Sequence, residues 1–292
     1  MTATGIKAHP QQTTLAPEVG PVSLWLRATL ALAWRELTRF SRQRTRIIGA
    51  LATPVIFWIL LGSGLNNVVT VGETAAMPSP LSDPSANGGG GVGYMAYFFM
   101  GTVLMIVLFT AIFSMITVIE DRREGFLQGV LVSPAPGSAV AAGKMLGAAT
   151  IATLQGGLFL IAWPLVYGPI AITWWLAAFA IIAVVALGLA GLGLLLAWPM
   201  NSTAGFHALM NVLLMPMWFL SGAVFPLDVA PLWLRILGYI NPLTYGHTLL
   251  SFTMFEGAPP APLVPAWLAA ILLLASVAAA LFFASRAVRG GR

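Results

Sequence analysis

The chain contains no cysteine. Disulfide staples, thiolate metal centres and a cysteine nucleophile are therefore excluded. Charge is almost as scarce: Asp, Glu, Lys and Arg make up 8% of the 292 residues, where a soluble domain carries roughly 25%. No His-Glu-x-x-His and no Gly-x-Ser-x-Gly occurs, which removes the sequence signatures of zinc proteases and serine hydrolases. A phosphate loop is missing too. Five residues separate Gly137 from Gly143 where four are required, and Met145 stands where a magnesium-binding Ser or Thr belongs. We expect no catalytic residue, no metal site and no ATP hydrolysis in this chain.

What is abundant is apolar. Hydrophobic residues are 59% of the chain, with 30 glycines and 20 prolines. This is the composition of an integral membrane protein. Residues 1–21 are polar and punctuated by Pro10, Pro17 and Pro21, and read as a flexible tail without the apolar core of a signal peptide. Residues 22–46 read as an amphipathic helix. Leu26, Leu30, Ala33, Leu37 and Phe40 share one face, with Trp34 at its edge, and Arg35, Arg39, Arg42 and Arg46 fall opposite. That pattern predicts a helix in the membrane interface, with its arginines toward anionic headgroups.

Six apolar runs follow, at about 47–65, 94–119, 146–167, 172–198, 205–224 and 264–285. Each is near the ~20 residues that cross a bilayer core. With the N-terminus inside, every Lys and Arg except Arg235 falls on the inner side, so the tails 1–21 and 286–292 and the segment 120–145 are expected in the cytoplasm, and the chain in an inner or plasma membrane. The net charge of +5 then reflects membrane topology, and no nucleic-acid partner is expected.

Between the fifth and sixth runs lies an apolar stretch, 225–262, broken at Asn241-Pro242 into two pieces too short to span. It predicts a broken, re-entrant helix pair. The expected fold class is thus an all-α membrane protein: an interfacial helix over 22–46, then a six-span domain over 47–285 with that helix pair before the last span.

Within the six runs no Lys, Arg, Asp or Glu occurs, which argues against a proton- or sodium-coupled carrier. His207 stands near the inner end of the fifth run. Thr110, Ser114 and Thr117 share a helical face, either along a path or bonding between helices. Met and aromatic residues crowd the second and fifth runs, Met215 and Trp218 among them, beside Asn211; they suit either a hydrophobic cargo or plain packing. The only densely charged segment between spans is Glu120-Asp-Arg-Arg-Glu124. After it, Phe126, Leu127, Val130 and Leu131 form one helical face, ended by Pro134. A short helix of this kind can dock on another protein, and an ordinary solvated loop has the same composition.

Three features resemble the membrane subunit of type-2 ABC exporters, which include drug, lipid and polysaccharide exporters. The first is Glu120-Asp-Arg-Arg-Glu-Gly125-Phe-Leu-Gln-Gly-Val-Leu-Val-Ser133-Pro134 followed by Gly143-Lys144-Met-Leu-Gly147. The second is Asn241-Pro242-Leu243-Thr244-Tyr245. The third is the interfacial helix with six spans. Many relatives carry an Asp where Thr248 stands, next to His247. The resemblance implies a homodimer bound to two copies of a separate ABC ATPase, which holds ATP and magnesium, so this chain itself needs no cofactor. It implies that Glu120, Arg123, Glu124, Gly125, Phe126, Leu127, Val130 and Pro134 form the ATPase-coupling helix and that the interfacial helix helps hold the ATPase. It also implies that the second and fifth spans line the path and that Asn241, Pro242 and Tyr245 belong to an outer exit gate. The Glu-Ala-Ala loop of importers is absent, which favours export. The competing expectation is a membrane scaffold or immunity-type protein without transport of its own.

Overall fold

The computed structural model describes residues 20–66, 69–71, 92–132, 136–257, 259 and 262–290. The elements, in order, are α1 (Pro21–Ser41), α2 (Arg44–Leu65), a two-residue antiparallel ladder of β1 (Thr70–Val71) and β2 (Val92–Gly93), α3 (Tyr94–Phe113), α4 (Ile116–Arg123), α5 (Phe126–Leu131), α6 (Gly137–Leu160), α7 (Trp163–Tyr167), α8 (Ile172–Ala197), α9 (Thr203–Trp218), a π-helical turn (Phe219–Ala223), α10 (Leu232–Ile240), α11 (Pro242–Met254) and α12 (Ala266–Gly290). Among them, six helices are long and apolar enough to cross a membrane.

α3 is the central pillar. Phe98, Phe99, Met100 and Val103 through Leu108 are buried, with α2, α6, α8, α9 and α11 packed around them. A helix apolar on all sides has no solvent face to offer and belongs in the middle. It continues into α4 through a break at Ser114–Met115. There Ser114 Oγ donates to the Thr110 carbonyl (2.7 Å) and Thr117 Oγ1 to the Ser114 carbonyl (2.9 Å), back-bonding that bends helices. The 30 residues of the α3–α4 rod span roughly 45 Å at 1.5 Å per residue, so its two ends serve different sites. The outer surfaces of α8 and α12 stay apolar, with Leu176, Trp267, Ile271 and Phe282 exposed, as a lipid solvent demands.

Two expectations need correction. The third span starts at Gly137 and ends at Leu160 instead of covering 146–167. Lys144 therefore sits inside the helix, neutralised by partners described below. The N-terminal helix ends at Ser41, not 46. Ser41 Oγ takes the Thr38 carbonyl and Thr38 Oγ1 the Trp34 carbonyl, and α2 starts afresh at Arg44. Its outward face is the apolar one. Val22, Leu26, Leu30 and Trp34 are exposed, while Thr29, Leu32, Ala33 and Glu36 are buried against the bundle. Where the solvent is lipid, the apolar stripe faces out and the polar one in.

Candidate functional site

The inward face of α1 carries a buried charge cluster. Gly143 and Gly147, four residues apart on α6, let α1 close in. A Cβ on Gly143 would lie 2.7 Å from Leu32 Cβ and 2.9 Å from the Thr29 carbonyl oxygen, and one on Gly147 would lie 2.8 Å from Glu36 Cβ. This is small-xxx-small packing, and it places Lys144, between the two glycines, against α1. Lys144 Nζ donates to Glu36 Oε1 (2.6 Å), to Thr117 Oγ1 (3.2 Å) and to Asp121 Oδ2. Arg35 binds Asp121 bidentately, at 2.8 and 3.0 Å, and Arg39 bridges Asp121 (3.1 Å) and Glu120 (2.7 Å). Asp121 is completely buried and Lys144 is 2% exposed. Bonding to Asp121 raises the Arg35 pKa above its ordinary value. Three cations face three anions, so the cluster is neutral, which lets it persist at low dielectric. It locks α1, α4 and α6 together.

The expectation that Arg35 and Arg39 face headgroups is therefore wrong: both turn inward to carboxylates. Arg42 is exposed just past the helix end, and the Arg46 side chain lies outside what the structure describes. Glu36, Asp121 and Lys144 were missed as site residues. The signal available was Glu36, the one acid among the arginines of its helix, and a lysine flanked by glycines at helical spacing.

From the cluster the chain turns at Gly125, whose φ of +79° strains any residue with a Cβ, and enters α5. The apolar face of α5 does not point outward as its proposed docking role requires. Leu127 is 2% exposed, Phe126 and Val130 pack on the core, and the Arg35 guanidinium stacks 3.8 Å above the Phe126 ring. Burying these groups against the chain's own helices removes apolar area from water. Among the described residues, the exposed groups of the hairpin are Arg123, Glu124, Gly125, Gln128, Gly129 and Val132. Pro134 lies outside the described residues.

Beside the cluster, a cavity of about 520 Å³ opens between α2, α3 and α9. Ala50, Pro54, Met105, Phe109 and Phe113 give it apolar walls; Thr53, Thr110, Ser114, Glu120 and His207 add polar groups. Of the expected path residues, Thr110, Ser114 and Met215 reach this cavity. Thr110 also bonds Gln155 of α6, and Thr117 instead accepts from Lys144. Asn211 is exposed on α9. Trp218 is fully buried and donates Nε1 to the Gly101 carbonyl at 2.8 Å, so it is a packing residue.

At the far end of α3, the π-turn after α9 frees backbone carbonyls, and side chains take them up. Asn241 Nδ2 donates to Met217 O (2.6 Å), Thr244 Oγ1 to Leu220 O (3.4 Å), Tyr97 to Gly222 O and Tyr94 to Val224 O (2.8 Å). Irregular backbone at membrane depth survives only when satisfied in this way. Asn241 Oδ1 also caps α11 by accepting from Leu243 N (3.1 Å), Pro242 occupies the first helical turn, and Tyr245 ties back to the Tyr239 carbonyl of α10. Each polar residue of Asn241-Pro242-Leu243-Thr244-Tyr245 thus has a bond to make. Arg235, alone among the bases on this side, is spent on the Ala230 (2.9 Å) and Asp228 carbonyls.

Six apolar helices with a short charged hairpin at one end and a broken helix pair at the other make a multi-pass membrane bundle. The profile of the ABC-2 type transporter family matches residues 27–255, and the chain belongs to that family. Nodulation protein J of Rhizobium leguminosarum bv. viciae is 31% identical over 229 residues, 76% of this chain and 78% of the relative. A putative transport permease, ycf38, of Cyanophora paradoxa is 24% identical over 76% of this chain and 72% of its own length. The probable multidrug ABC transporter permease YbhR of Escherichia coli (strain K12) is 32% identical over 48% of this chain and 39% of its own. Membership makes the chain a multi-pass permease component rather than a catalytic enzyme, and it implies an ABC ATPase as partner.

Proposed function

We propose that this chain is the membrane half of an ATP-driven exporter that moves a hydrophobic or amphipathic cargo out of the cytoplasm or inner leaflet. The observation that carries the reading is the lateral cavity. Its volume of about 520 Å³ lies within the roughly 300–1,000 Å³ typical of small-ligand sites. Its walls are mostly apolar, and all its polar groups but Thr53 gather where α3, α4 and α9 approach the charged hairpin. A relative is named as a probable multidrug permease, which agrees with a soft, Met- and Phe-lined cavity.

The charged end would face the cytoplasm, following the lysine and arginine distribution, and the lipid-facing stripe of α1 would lie at the membrane interface. The ATPase would dock on the exposed Arg123, Glu124 and Gln128, with α4–α5 as the coupling element. The pair α10–α11 would re-enter from the outer side, with the exposed Leu232, Trp233 and Ile240 in the outer leaflet. Two copies of this chain and two ATPases would complete the assembly.

The test uses the full chain with its co-purifying ATPase in vesicles, and two probes: a fluorescent amphipathic cation and an NBD-labelled phospholipid. We expect ATP-dependent flux of one of them, and its loss in Ala50→Trp, which fills the cavity, with ATP hydrolysis retained. Flux of both probes unchanged in Ala50→Trp, or no ATPase in the purified complex, would refute the reading.

A further inference from the structure

A side chain from elsewhere in the chain holds the turn between α8 and α9. Arg122, on the last turn of α4, donates from Nη2 to the Trp198 carbonyl (2.6 Å) and from Nη1 to the Met200 carbonyl and Asn201 Oδ1 (3.2 Å each). Its guanidinium also lies 5.2 Å from the Trp198 ring centroid. These oxygens stand just past the C-terminus of α8, where carbonyls lack helical donors and the helix dipole favours a cation. Next in sequence, Ser202 caps α9 by accepting from Gly205 N (3.2 Å). The grip therefore falls on the residues immediately before the cap of α9.

The main chain of Arg122 looks the other way. Its carbonyl accepts from Gln128 Nε2 (3.0 Å) and from Gly125 N (3.3 Å), so one residue joins α5 to the α8–α9 turn. Its neighbour Asp121 is fixed to α1 and α6 by the buried cluster. Successive residues on a helix point about 100° apart, so α4 is anchored on one flank and grips the α8–α9 turn with another. A push on α5 would rock α4 about Asp121 and carry the turn with it.

We propose that Arg122 is a positioning residue that transmits displacement of the α4–α5 hairpin to α9, and through α9 to the lateral cavity, where His207 and Met215 stand. This rests on the transport reading above. It deepens that reading by assigning the link between the docking hairpin and the cavity wall to a named side chain. The fork geometry matters: guanidinium reaches three oxygens at once, where an ammonium offers a single point charge.

A simple cap on α8 would be lost as stability alone, so the test reads motion. The chain has no cysteine, which leaves Ala208→Cys, on the exposed side of α9, as a unique label site. In the full complex with its co-purifying ATPase, the rate of fluorescent-maleimide labelling at position 208 is measured with and without ATP. The parent is expected to change its rate on nucleotide binding. Arg122→Gln should shrink that change by about tenfold, a typical coupling factor, while ATPase binding and hydrolysis persist; Arg122→Lys should fall between. A parent-like response in Arg122→Gln overturns the proposal, as does a parent whose position 208 ignores nucleotide. If Arg122→Gln does not assemble, Arg122→Lys decides, since it keeps the charge and loses the fork: a parent-like response there overturns the proposal and a diminished one supports it. Absence of any ATPase from the parent complex would instead defeat the transport reading itself.

Discussion

Replacing Asp121 by Asn keeps the shape of the residue and removes its charge. Asp121 accepts two bonds from Arg35, one from Arg39 and one from Lys144. The amide retains one acceptor and turns two N–H groups toward donors. The cluster passes from neutral to +1, and Lys144, 2% exposed, keeps Glu36 as its carboxylate partner. Breaking a buried pair from one side costs about 3–5 kcal/mol. Glu120→Gln is the control: it removes one bond to Arg39 from a side chain that is 35% exposed, and a rim pair of this kind is worth about 0–1 kcal/mol. Combining Asp121→Asn with Lys144→Met restores neutrality, so the double variant should fall short of the summed losses by about 1–3 kcal/mol. The assay is unfolding of the purified chain in mixed micelles as the SDS fraction rises, followed by tryptophan fluorescence. Equal losses in Asp121→Asn and Glu120→Gln, or full additivity in the double variant, would refute the idea that this cluster locks α1 to the bundle.

Three further outcomes follow from the same geometry. Gly147→Val should part α1 from α6 and cost about 1–3 kcal/mol by overpacking, whereas Gly129→Ala, with nothing within 4 Å, should gain roughly 0.5–1 kcal/mol; the same unfolding assay reads both. Burial holds His247 near a pKa of about 4, below its ordinary 6.5. Between those values the unfolded chain binds a proton that the folded chain does not, so stability should fall as pH drops from 6.5 toward 4, by up to about 3 kcal/mol at 1.36 kcal/mol per unit; melting temperatures of His247→Gln should lose that slope. At the hairpin, Glu124→Lys should reduce ATPase co-purification with the melting temperature unchanged, while Phe126→Ala should lower the stability of the isolated chain by about 0.5–3 kcal/mol; the opposite pattern would return the docking role to the apolar face of α5.

The sequence by itself determined the class of this protein and the position of every span but the third. Hydropathy over some 20 residues is a local property, and a bilayer converts it directly into helices, so the second, fourth and fifth runs coincide with α3–α4, α8 and α9 to within a few residues. The break at Asn241-Pro242 was legible for the same reason, because a proline and a capping asparagine act on their own backbone. Tertiary structure alone decided which faces meet. Periodicity places Arg35 opposite Leu26 but does not say that the arginine side meets carboxylates of the bundle rather than headgroups. Glu36 and Lys144 lie 108 positions apart, and nothing local marks them as partners until Gly143 and Gly147 bring α1 against α6. The outward face of α5 was settled in the same way: once Arg35 is drawn in by Asp121, it covers Phe126, and the hairpin is left with its polar side to offer.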